Sequence, residues 1–249
     1  MTSVNISRKR PREAPRDVHD KSAGRCEGEA NALQRGLINQ LLEHRAWILS
    51  AMNCNDSVIS TRELRALGSD IRPAECSFCR PGAIQHFNAG GTAAEVARFE
   101  AVNSSDTIAC TVASLVEQLS LDISRDLSTA IADGFTPRCA EGWQFSFGGS
   151  RGFHMDAPHL GRLILTITLS GDCAVEVEDS MATQPKLHRL HPPWHRQQSP
   201  TQYYAIWGRS REHIYSNRHR VIAGTQPRLS LTLRFDLRAR IDRRVTLSL

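Results

Sequence analysis

The spacing of apolar residues changes once along this chain. Between 30 and 52, Leu33, Leu37, Ile38, Leu41, Leu42, Ile48 and Leu49 recur three and four apart, which predicts an amphipathic helix. Ser60-x-x-Glu63 and Thr92-x-x-Glu95 have the form of capping boxes, in which side chains satisfy the free N–H groups of a helix start. The first predicts a short helix ending near Gly68. The second predicts another, carrying Val96, Phe99 and Val102. Leu115, Leu119, Ile123 and Leu127 predict a longer helix over 111–132, with Gly134 just past its end and Pro137 soon after. Between these helices, 69–91 reads as irregular, broken by Pro73, Pro81 and Gly90-Gly91.

After about residue 140 the period becomes two. Residues 162–169 are β-branched and apolar, Ser170-Gly171-Asp172 reads as a turn, and 173–178 alternates. Residues 203–207 form another strand candidate, and 228–235 alternates strictly. There Arg228, Ser230, Thr232 and Arg234 share one face, and Leu229, Leu231, Leu233 and Phe235 share the other. The stretch 179–200, rich in Pro, His, Gln and Ser, reads as a long loop. Helices first and strands later predict an α+β fold in which helices buttress a β core. One domain is expected over 29–249, helical in 29–135 with its β core in 140–240, after a polar, basic tail over 1–28 expected to be disordered.

Composition narrows the setting. A net charge of +5 over 249 residues permits an anionic partner without demanding one. Much of the positive charge falls late, among the arginines from Arg209 to Arg244. The chain opens on polar and basic residues and has no apolar run long enough to span a bilayer, so no membrane partner is expected. With seven cysteines, an odd number, a reducing intracellular compartment is expected, cytoplasmic or nuclear. Arg8-Lys9-Arg10-Pro11-Arg12 resembles a nuclear-import signal. Cys76-x-x-Cys79 followed by His86 would begin a zinc site, but the second pair such sites use is missing.

The candidate chemistry lies in the β half. On a strand, His154 and Asp156 point to one face. His219, just before Val221-Ile222 and the final strand, is the expected third member, with His213 competing for that role. Two imidazoles and a carboxylate suit a facial metal site with open positions. A His-x-Asp pair is common by chance and usually makes only a surface hydrogen bond. The strand 228–235 adds weight to it. Its polar face is either the wet side of an edge strand, or an inward face whose two guanidiniums need an anion. A bound dicarboxylate would supply that anion.

In this order and spacing, His154, Asp156, His219 and Arg228 resemble the Fe(II)/2-oxoglutarate-dependent dioxygenases, whose core is a double-stranded β-helix, or jelly roll. Arg228-x-Ser230-x-Thr232-x-Arg234 is similar to the R-x-N-x-T-x-R ending of the AlkB-like branch. Ala205-Ile206-Trp207-Gly208-Arg209-Ser210-Arg211 is similar to the strand before that branch's distal His. His219-Arg220-Val221 with Arg228-Leu229-Ser230 also resembles the H-R-V…R-x-S ending of small-molecule oxygenases. The resemblance covers roughly 143–236. It implies Fe(II) held by His154, Asp156 and His219, with 2-oxoglutarate and O2 as co-substrates. Arg228 and Ser230 would take the distal carboxylate of 2-oxoglutarate, and Arg234 would lie near its other carboxylate or the substrate. The implied reaction is oxidative hydroxylation, or N-demethylation of an alkylated nucleic acid. Phe145, Phe147, Arg151 and His159 flank the motif and are the substrate candidates, with a loop around Trp194 closing over the site. The chain departs from the AlkB pattern at Ser230, where Asn is expected, and at Trp143 and Phe145, which stand at the spacing of an Asn-x-Tyr pair. The gap from His219 to Arg228 is also short. These departures leave nucleic acid, a protein side chain and a small molecule all open as substrates. A jelly-roll binding protein without catalysis is the alternative.

Overall fold

Among the described residues, eight strands after residue 141 divide between two sheets, and their nested pairing builds the site. The computed structural model describes residues 24–53, 73–80, 99–130, 137–154, 156, 163–177, 194–207 and 219–235. The eight strands are β4 (Gly142–Phe147), β5 (Arg151–His154), β6 (Leu163–Ser170), β7 (Cys173–Val177), β8 (Trp194–Gln198), β9 (Gln202–Trp207), β10 (His219–Ala223) and β11 (Leu229–Phe235). The first of them pairs with the last, β4 with β11. Inward from there, β5 pairs with β10, β6 with β9, and β7 with β8. This nesting is a double-stranded β-helix, with strand orders β4-β11-β6-β9 and β5-β10-β7-β8 in the two sheets.

Three further strands widen the larger sheet to seven: β1 (Gly24–Glu29) beside β9, and β2 (Ala74–Cys79) then β3 (Phe99–Ala101) beside β4. They correct the sequence reading. Residues 24–28 are strand and not tail, 74–79 is strand and not irregular, and Phe99 opens a strand and not a helix turn. Residues 194–198, expected within a loop, form β8. These are short strands, three of them outside the central four of the larger sheet, and hydrogen bonds to a neighbour hold them more than an apolar pattern does. The capping boxes at Ser60 and Thr92 lie outside the described residues, as do the basic run at 8–12, Gly134 and His86.

Among the described residues the helices are α1 (Ala32–Glu43), α2 (Arg45–Ala51) and α3 (Thr107–Ala130). The single helix expected over 30–52 is two, divided at His44. Asn31 and Gln34 form a reciprocal capping box at the start of α1. The buried Gln34 amide then donates to Asp122 and Asp126 of α3, at 2.9 and 2.8 Å, which locks the two helices together. Their apolar faces, including Ile38, Leu41, Leu119 and Ile123, pack against the outer face of the larger sheet. Leu229, Leu231, Leu233 and Phe235 of β11, all fully buried, meet them there. The helices therefore buttress the jelly roll, and β11 is a central strand, not an edge. A smaller apolar cluster, with Val175, Val177, Tyr204 and Ile206, fills part of the space between the sheets. Among the described residues no helix is long and apolar enough to cross a membrane.

Candidate metal centre and its cavity

His154 closes β5 and Asp156 follows two residues on. His219 opens β10 directly opposite His154 in the ladder, and their ring centroids are 4.3 Å apart. One ligand atom from each of the three lies within 4.8 Å of the others, and His219 Nε2 is 3.9 Å from Asp156 Oδ2. An ion bonded at about 2.0–2.2 Å to each would span this group once the side chains close slightly. No other such group involving His, Cys, Asp or Glu occurs among the described residues.

The donor chemistry fits a divalent metal. His154 Nδ1 donates to the Gly152 carbonyl at 2.8 Å, which leaves the Nε2 lone pair free to ligate. Burial, then the neighbouring His219 and Arg151, push its pKa down to about 4, so the imidazole is neutral at pH 7. Burial alone would raise Asp156, but Arg234, His219, His154 and Arg151 outweigh it and hold the carboxyl below its ordinary range. Two imidazoles and an ionised carboxylate with open positions beside them suit Fe(II). Phe153 turns to the opposite face of the smaller sheet, where the Arg220 guanidinium lies 4.6 Å from its ring centre.

The polar face of β11 supplies the far wall. Arg234 Nη2 stands 3.8 Å from Asp156 Oδ1 and donates to Gln144 Oε1 at 3.0 Å. Its Nε and Nη1 are buried without an acceptor. Arg228 donates through Nε to Thr168 Oγ1 at 3.1 Å, and its Nη2 is buried without a partner. Buried guanidinium N–H groups without acceptors are costly, so the cavity has donor capacity for an anion. Ser230 and Thr232 lie between the two arginines, and Thr232 Oγ1 is 3.0 Å from Thr166 Oγ1. The cavity these groups enclose measures about 570 Å³, counting the space open at its mouth.

Two turns set the height of Arg228. Gly148 and Gly149 both take positive φ, 67° and 66°, in the turn from β4 to β5, and the Gly148 N–H donates to the Arg228 carbonyl at 2.9 Å. On the other side, the Asp172 carboxylate accepts from the backbone N–H and the hydroxyl of Thr225 and from the Gln226 N–H. Gly171, at φ 72°, sits so close to the Pro227 carbonyl that an added Cβ would lie 2.2 Å from it. The loop leading into Arg228 is thereby pinned to the turn between β6 and β7.

His154, Asp156, His219, Arg228, Ser230 and Arg234 all face this one cavity, and Arg151 lines it too. Phe145 and Phe147 do not. The ladder sets Phe145 opposite Leu231 and Phe147 opposite Leu229, on the core face, so they are packing residues and not substrate contacts. Gln144 and Ser146 are the β4 residues that face the cavity. His159 and His213 lie outside the described residues. Trp194 opens β8 opposite Val177, and its side chain lies outside the description. Cys76 and Cys79, three apart on β2, point to opposite faces, which separates their thiols as zinc ligands. Glu75 and Tyr204 were missed as lining residues. Their signal was positional: Glu75 pairs in register with Ser146, and Tyr204 with Thr166.

No family model matches the chain, and no curated protein matches it. Solved structures do. The non-heme alpha ketoglutarate dependent epimerase SnoN from nogalamycin biosynthesis aligns over 85% of this chain and 78% of its own, at 10% identity and a TM-score of 0.45. AviO1 from Streptomyces viridochromogenes aligns over 86% and 89%, at 8% identity and a TM-score of 0.41. The Drosophila melanogaster CENP-C cupin domain aligns over 37% of this chain at 8% identity and a TM-score of 0.28, and the chain spans 59% of that domain's length. The jelly-roll assignment stands on the strand order described above.

Proposed function

We propose that this protein is an Fe(II)- and 2-oxoglutarate-dependent dioxygenase that hydroxylates its substrate. One observation carries the reading. A His-Asp-His group and two buried guanidiniums with unpartnered N–H donors face the same cavity. His154, Asp156 and His219 would hold the metal. Arg228, seconded by the Ser230 hydroxyl, would take the distal carboxylate of 2-oxoglutarate in a charge-assisted pair. Arg234 fixes Asp156 from behind and has two further donors for an anionic group beside the metal. Iron, 2-oxoglutarate and O2 together supply the oxidising power for attack on a C–H bond. The chain's own share is to hold the His154 imidazole neutral, keep Asp156 ionised and orient the co-substrate.

For the substrate, the cavity favours a small hydrophilic molecule over an alkylated nucleobase. A base is ordinarily held by stacking on an aromatic face. Phe145 and Phe147 are in the core, and the Tyr204 ring lies edge-on to His219, 6.5 Å between centroids.

An anaerobic titration with Fe(II) and 2-oxoglutarate tests the reading through the weak metal-to-ligand visible band. The band is expected in the wild type and lost in His154→Ala. Arg228→Ala should need at least about tenfold more 2-oxoglutarate to reach it, the scale of a lost charge-assisted hydrogen bond. A correctly folded wild type showing neither band nor 2-oxoglutarate binding would sink the proposal.

A further inference from the structure

At the mouth of the cavity stand two opposite charges to which the dioxygenase reading gives no ligand. Glu75 comes from β2, outside the eight jelly-roll strands, and Arg151 opens β5 three residues before His154. Both line the cavity that holds the metal-binding group. They are near enough to matter there. Arg151 acts electrostatically on His154 and Asp156, and both act on Arg234.

Their own contact is loose. Glu75 Oε1 meets Arg151 Nη1 at 3.5 Å, with side chains 29% and 42% exposed, and Ser146 Oγ reaches the same carboxylate oxygen at 3.4 Å. A guanidinium carries five N–H donors and a carboxylate about four lone-pair sites, so these long contacts leave most of each unused. An exposed pair of this kind contributes little to stability and is easily parted.

The charge balance points the same way. Three guanidiniums line the cavity, those of Arg151, Arg228 and Arg234, against the two carboxylates of Glu75 and Asp156. Arg228 and Arg234 are buried, at 9% and 2% exposure, so Arg151 is the accessible cation. The same cavity wall also presents Gln144, Ser146 and Thr232. An apolar substrate would leave the remaining hydrogen-bonding capacity of these groups unmet.

We infer that Glu75 and Arg151 are the substrate-recognition pair, and that the substrate is a small zwitterion of the free amino-acid type. Its ammonium pairs with Glu75 and its carboxylate with Arg151. Such a ligand exchanges one loose ion pair for two charge-assisted ones. The inference rests on the dioxygenase reading for the reaction, but not for binding.

The test is calorimetric titration of the wild-type protein with the standard free L-amino acids, their N-acetyl derivatives and their methyl esters. It is run with and without Mn(II) plus N-oxalylglycine, an inert analogue of 2-oxoglutarate. At least one free amino acid should bind, and its N-acetyl and ester forms should each bind about tenfold or more weakly. Glu75→Gln should erase the preference over the N-acetyl form, and Arg151→Gln the preference over the ester, in variants whose thermal unfolding shows them folded. If no amino acid binds in either condition, or if the blocked forms bind as well as the parent, the inference is overturned. N-oxalylglycine binding without any amino acid binding overturns it and leaves the dioxygenase reading standing. Amino acid binding without N-oxalylglycine binding does the opposite.

Discussion

His154 carries two demands at once, burial beside a cation-rich wall and a free lone pair. Burial, His219 and Arg151 lower its pKa to about 4, whereas an unfolded imidazole titrates near 6.5. Between those values the unfolded chain binds the proton and the folded chain does not. Stability therefore rises with pH across that window and is lost as pH falls through it. Asp156 acts in the same direction further down. Its folded pKa is depressed, so the stability it contributes is present above its unfolded value, near 3.9, and is lost as pH drops below it. The melting temperature of the metal-free protein should thus fall steadily from pH 6.5 toward 4, with a shallower slope in His154→Gln. A flat wild-type profile over that range would contradict this account of the site.

At the scale of elements, β11 does two jobs through its alternation. One face seals the core against the helices, and the other presents Ser230, Thr232 and Arg234 to the cavity. Arg228 sits just before the strand, so its reach depends on the loop that delivers it. Asp172 pins that loop through three donors on Thr225 and Gln226. Asp172→Ala should weaken 2-oxoglutarate binding by about 1–2 kcal/mol, the net worth of one or two such bonds. The Fe(II) affinity, measured separately, should be nearly unchanged. Asp172→Asn, which keeps an acceptor oxygen, should recover part of the loss. Equal losses of metal and co-substrate binding in Asp172→Ala would mean the turn supports the whole fold rather than Arg228.

At the scale of the molecule, the added strands complete the cavity and tie the two sheets together. β2 brings Glu75 to the mouth. β1 runs antiparallel to β9, and its Glu27 takes Arg196 Nε of β8 at 3.0 and 2.8 Å, bridging the larger sheet to the smaller. Gly28 lies under the Tyr203 ring, and a Cβ there would fall 2.3 Å from it. Gly28→Val should therefore destabilise the protein by about 1–3 kcal/mol through overpacking. Urea unfolding would show a lower midpoint with an unchanged slope, and an unchanged midpoint would mean that β1 yields without disturbing β9.

Much of this was legible in the order of residues alone. The helical stripe from Leu115 to Leu127 and the two-residue alternation from Arg228 to Phe235 are periods, and a period is a local property of the chain. They were enough to expect helices against a β core; the jelly roll and the grouping of His154, Asp156, His219 and Arg228 came from the order of residue types and the resemblance it carries. What each face of a strand meets is not local. Phe145 and Phe147 read as substrate contacts until the ladder with β11 turned them to the core. Glu75 read as part of an irregular stretch, because a six-residue strand held by hydrogen bonds to β4 leaves little apolar pattern. Chemistry and order along β11 were set by sequence. Which residues share the cavity was decided by register, since a shift of one position reverses every side chain on a strand.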